Sequence, residues 1–97
     1  MRKATEQVTA AFLSRGAKRV GNTASTGETI ELHGNTIAMW KTGNADGSAW
    51  SLWITLAGWD TATTRERLNA LPGVHVHRAK GQTYLNGEPW DGSWKRI

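Results

Sequence analysis

The sequence of 97 residues contains no cysteine. That excludes a disulfide framework, a thiolate metal site and a cysteine nucleophile, and it fits a reducing compartment. Long apolar runs are missing too. The most apolar stretch, residues 49–57, is interrupted by Ser51 and Thr55 and falls far short of the roughly 20 residues a membrane-spanning helix needs. Arg2 and Lys3 stand before a polar segment, so no secretory signal is expected. Recognisable catalytic groupings are absent as well. No histidine has a carboxylate and a serine in a triad-like arrangement. His75 and His77 share one side of a predicted strand, but a third imidazole could come only from the distant His33 and no acid adjoins the pair. Neither a metal nor a cofactor is expected, and the chain does not read as an enzyme.

What the chain has in excess is tryptophan. Trp40, Trp50, Trp53, Trp59, Trp90 and Trp94 are more indole than one small core readily hides, and tryptophan is enriched where one molecule meets another. The formal net charge of +4 is unevenly spread. Arg2, Lys3, Arg15, Lys18 and Arg19 form one basic block, and Arg65, Arg67, Arg78 and Lys80 a second. Between them lie Glu28, Glu31, Asp46 and Asp60. Two readings fit: the blocks converge into a phosphate-binding patch, or they are ordinary solvated faces.

Ala4, Val8, Ala11 and Phe12 recur at helical spacing ahead of Gly16, which predicts a first helix over 5–15. A short basic strand over 17–20 and a turn-rich loop over 21–27 should follow. Strand formers over 28–32 and 36–41 bracket Gly34-Asn35, a good two-residue hairpin turn, and a third strand is expected over 49–56 beyond Asn44-Ala45-Asp46-Gly47. That register puts Ile30, Leu32, Ile37, Met39, Trp50, Leu52, Ile54 and Leu56 on a core face. Thr29, Glu31, Thr36, Ala38, Trp40, Ser51, Trp53 and Thr55 fall on the other, with Trp40 and Trp53 as diagonal neighbours.

Further along, Thr63-Thr64-Arg65-Glu66 has capping-box spacing and Pro72-Gly73 closes a short second helix over 63–71. Strands are expected over 74–78 and 82–85, with turns at Lys80-Gly81 and Asn86-Gly87, and the tail with Trp90 and Trp94 should dock. The whole chain, 1–97, reads as a single α+β domain: an antiparallel sheet, an N-terminal helix and a short second helix, in the order α-β-β-β-α-β-β.

Three stretches together carry a resemblance: Leu32-His33-Gly34-Asn35-Thr36-Ile37-Ala38, then residues 58–69 beginning Gly58-Trp59-Asp60-Thr61-Ala62-Thr63-Thr64-Arg65, then Lys80-Gly81-Gln82-Thr83-Tyr84-Leu85-Asn86-Gly87. The pattern resembles small accessory proteins encoded by tailed bacteriophages. The resemblance implies action in a bacterial host cytoplasm, by binding nucleic acid or by disabling a host protein, and it carries over no catalytic residues.

Candidate binding residues follow from chemistry. Thr61, Thr63, Thr64 and Arg65 at a helix start could cradle an anion, or could simply cap the helix. Lys18, Arg19, Arg65, Arg67, Arg78 and Lys80 are the expected phosphate contacts. Trp40 and Trp53 are the expected stacking pair, unless the first helix covers them. Trp59, Trp90 and Trp94 are candidate rim or anchor residues. The favoured partner is nucleic acid, the alternative a host bacterial protein such as a defence complex or the transcription machinery. No membrane and no small-molecule substrate are expected.

Overall fold

A computed structural model describes residues 3–42 and 50–97. Helix α1 (Lys3–Leu13) is followed by five strands, β1 (Ala17–Val20), β2 (Thr23–Thr26), β3 (Thr29–Leu32), β4 (Asn35–Thr42) and β5 (Trp50–Ile54). Helix α2 (Ala62–Asn69) then leads to β6 (Val76–Ala79), β7 (Gln82–Leu85), β8 (Glu88–Pro89) and β9 (Lys95–Arg96). This is the expected α+β order of helix, strands, helix, strands. The strands form two antiparallel sheets, a larger one in the order β1-β2-β3-β4-β5-β9 and a smaller one in the order β6-β7-β8.

The helices lie on one side of the larger sheet. Val8 and Phe12 of α1 and Leu68 of α2 join Ile30, Leu32, Ile37, Ala38, Leu52, Ile54 and Leu56 in one core. Val76 and Leu85 bring the smaller sheet onto the same core. The molecule is only 20 Å across its shortest axis, the thickness of two packed layers, so among the described residues the far side of the larger sheet has no third layer over it.

Several expectations need correction. The two-residue turn is His33-Gly34, with φ of 52° and 80°, and Leu32 pairs with Asn35. Both turn residues are left-handed, as a type I′ hairpin requires. Ile30 faces Ala38 while Glu31 faces Thr36, which leaves Ile37 as an extra residue on β4, a β-bulge. The bulge puts Ile37 and Ala38 both on the core side, at 1% and 0% exposure, and flips everything after them. Met39 therefore leaves the expected core face and Trp40 joins it. Trp50 keeps the core-side register but lies beyond the helix layer, 47% exposed.

The run 21–27 is not a loop throughout: Thr23 to Thr26 pair with both β1 and β3. Its small side chains fit beneath α1, where Thr23 and Ser25 are buried. α1 ends through Arg15, which adopts the left-handed conformation (φ 65°) expected of Gly16, and Gly16 N–H donates to the Ala11 carbonyl at 2.7 Å. The turns at Lys80-Gly81 and Asn86-Gly87 form where expected, all four residues at positive φ. The tail docks: Thr55 Oγ1 donates to the Gly92 carbonyl at 2.6 Å, and Leu56 N–H donates to the same oxygen at 2.9 Å. The connection expected at Asn44 to Gly47 lies outside the described residues.

Candidate nucleic-acid interface

Strand pairing assigns the side chains of the uncovered face. In an antiparallel ladder, directly opposed residues share a face. Thr29 opposes Met39, Met39 opposes Trp53 and Trp53 opposes Arg96, giving a row across four strands. A neighbouring row runs Arg19, Ala24, Glu31 and Thr36. Lys41, opposite Ser51, stands beyond Met39. Its Nζ lies 4.5 Å from the Trp53 ring centre and 6.0 Å from that of Trp94, so the ammonium sits between two indoles. Trp94 is 39% exposed and Lys41 and Arg96 are exposed. The result is an indole pair with a methionine beside it and the cations Lys41 and Arg96 on the same face.

Trp40 is not part of this surface, which corrects the expected Trp40–Trp53 pair. Its ring stacks on Phe12 at 5.2 Å and 13°, and its indole N–H donates to the Phe12 carbonyl at 3.2 Å. Helix α1 thus covers Trp40, whereas Trp53, half-buried, lies on the opposite face. On the same side, the Arg15 guanidinium lies 3.8 Å from the Trp50 ring centre.

The two basic blocks do not merge into one patch. Arg19 projects from the uncovered face, whereas Arg67 lies inside the helix layer at 5% exposure. Arg67 Nε donates to Thr23 Oγ1 at 3.0 Å, and its Nη1 donates to Thr5 Oγ1 at 2.5 Å and to Glu66 Oε1 at 3.0 Å. That arginine ties α2 to α1 and β2 and has no access to a phosphate. Arg65 and Arg78 both donate to Asp60, Arg78 at 2.7 Å, and Thr83 donates to the same carboxylate. Burial works to raise the Asp60 pKa. The hydrogen bonds from Thr83, Arg65 and Arg78, with attraction to Arg65, outweigh it and hold the carboxyl below its ordinary value. These cations are spent on a bridge between α2 and the smaller sheet, although Arg78 stays exposed. Lys18 is exposed on β1, an edge strand, where charge discourages edge pairing, and Lys80 is exposed in the β6–β7 turn.

The helix start acts as a cap. Thr61, not Thr63, is the N-cap: its Oγ1 accepts from Thr64 N–H at 3.2 Å and meets Thr64 Oγ1 at 3.0 Å. Glu66 closes no capping box and instead accepts from Thr5 and Arg67. Thr64 is buried at 1% exposure. Trp90 is buried too, at 8%, with its indole N–H donating to the Ser93 carbonyl at 3.0 Å, so it anchors the tail and forms no rim. Trp59 stands 60% exposed.

Lys41, Met39 and Arg96 were not singled out from sequence. The usable signal lay in strand alternation: once Trp53 is on the outer face, its cross-strand neighbours are fixed. Among the described residues, no group of three potential metal ligands is present, and no helix is long and apolar enough to cross a membrane. Over residues 1–95 the sequence matches the family described as Kyanoviridae Gp96 protein. No curated protein and no solved structure matches it.

Proposed function

The chain belongs to the Kyanoviridae Gp96 protein family, and we propose that this phage accessory protein binds single-stranded nucleic acid on the uncovered face of its larger sheet. The observation that carries the reading is the placement of Lys41 over both Trp53 and Trp94, with Met39 and Arg96 opposite Trp53 on the neighbouring strands. Flat aromatic rings on an open sheet stack with unpaired bases, and flanking cations meet the backbone between them. A duplex, whose bases are already stacked, gains little from such a platform.

Short single-stranded oligonucleotides should quench the indole emission, with an affinity that falls steeply as salt rises. Trp53→Ala should weaken binding by roughly 1–3 kcal/mol, the usual value of one stacked base, while the fold persists. Lys41→Ala and Arg96→Ala should each flatten the salt dependence by about one unit of slope. Absence of binding at low salt rejects the reading. A second reading, inhibition of a host bacterial protein, draws on Trp59, whose 60% exposure lies away from this face. Capture from bacterial lysate with and without nuclease treatment separates the two.

A further inference from the structure

A second aromatic site lies on the other side of the sheet. The chain leaving β5 turns at Ala57 and Gly58, with φ of 54° and 83°, and Trp59 N–H closes the turn on the Leu56 carbonyl at 2.8 Å. Left-handed backbone at a non-glycine residue is uncommon, and this turn presents Trp59, 60% exposed, beside an apolar surface. That surface is the floor of a pocket of about 520 Å³, formed by Leu32, Ile37 and Leu56. His33, Asn35 and Thr63 stand around it, and among the described residues no lysine, arginine, aspartate or glutamate lines it. An apolar floor of this size with a few converging polar groups is the usual form of a small-ligand site.

The polar groups that line it include donors. The Thr63 N–H, in the first turn of α2, has no acceptor within the helix. Asn35 and Thr63 both line the pocket, and an amide and a hydroxyl can each donate or accept. His33 also lines the pocket, with its Nε2 3.1 Å from Asn22 Nδ2. An aliphatic chain would leave these donors unpaired, and a phosphate would find no cation among the described lining residues. A flat neutral ring bearing carbonyl or ring-nitrogen acceptors satisfies floor, wall and rim together. We propose that this pocket takes a nucleobase, stacked on Trp59 with its acceptor edge toward Thr63 and Asn35 and its sugar and phosphate in solvent. The base can come from a free nucleotide or from the end of a strand. The site is separate from the Trp53 face, because Leu32 and Ile37 belong to the covered side.

Nitrogen-resolved NMR spectra of the full chain, titrated with uridine, adenosine, their 5′-monophosphates and short single-stranded oligonucleotides, test this. The Trp59 indole N–H, assigned with Trp59→Phe, and the Thr63 amide should shift, and nucleoside and monophosphate should bind alike. Saturation by nucleosides identifies a free nucleotide as the ligand, and a response confined to oligonucleotides identifies a base within a strand. Trp59→Ala should weaken binding about 5- to 150-fold, and Thr63→Val should weaken it without altering the fold. Trp53→Ala should leave these shifts intact, which keeps the outcome independent of the open-face reading. Silence at Trp59 with every probe overturns the proposal. So does tighter binding of N-acetyltryptophanamide than of any nucleoside, which would assign the pocket to an aromatic side chain of a partner protein.

Discussion

Replacing Arg67 with alanine should strongly destabilise the fold and leave any nucleic-acid affinity of the folded protein unchanged. The guanidinium is 5% exposed and makes three hydrogen bonds, to Thr23, Thr5 and Glu66, that join α2 to β2 and α1. Removing a buried, hydrogen-bonded cation costs about 3–5 kcal/mol, because its three hydrogen bonds and its packing are lost together. A domain of this size has roughly 5–15 kcal/mol in total, so the loss is a large fraction. In thermal unfolding followed by circular dichroism, the midpoint should fall by at least about 12 °C, at 4 °C or more per kcal/mol. Arg67→Met fills a similar volume but restores none of the three hydrogen bonds, and it should recover part of that loss. The opposite pattern, with Arg67→Ala within about 1 kcal/mol of the parent and a clear loss of oligonucleotide binding, would show the guanidinium reaching solvent and refute its structural role.

Trp40→Ala should cost about 3 kcal/mol, at the low end for a large aromatic because Trp40 is half-buried, whereas Trp53→Ala, also half-buried but on the face away from the helices, should lower the urea midpoint less. Gly27→Ala should destabilise by about 1–3 kcal/mol, since φ is 95° and a Cβ would come 2.8 Å from the Arg15 carbonyl oxygen. The Asp60 bridge makes a contribution that depends on pH. Because its pKa is lowered on folding, the stabilisation is fully present above the ordinary value of 3.8 and is lost as pH falls below it through the folded value. Urea titrations across the acid range should show a smaller drop in stability in Asp60→Asn than in the parent.

Much of the fold was legible because local chemistry decides it. Lys80-Gly81 and Asn86-Gly87 are residues that accept positive φ, so their hairpins follow from neighbouring side chains alone. Ile30, Leu32, Leu52, Ile54 and Leu56 alternate in strands, and alternation by itself assigns them a common face. The candidate site was less legible. Trp53 and Trp94 are visible as surplus indoles, but which cations accompany them depends on pairing between strands far apart in the chain.

The sequence by itself determined an α+β domain with too many tryptophans for its core, because composition and periodicity are properties of the chain. The β-bulge at Ile37 was decided only by the tertiary structure. Either turn, His33-Gly34 or Gly34-Asn35, suits the local backbone, and the choice falls to the arrangement that buries Ile37 and Ala38 together under the helices. That single extra residue sends Trp40 to Phe12 and leaves Trp53 outside. Arg67 likewise resembles its neighbours Arg65 and Arg78 in sequence. Packing of α1, α2 and β2 around it is what turns a surface-type cation into a buried tie, since burial depends on what the rest of the chain brings to that position.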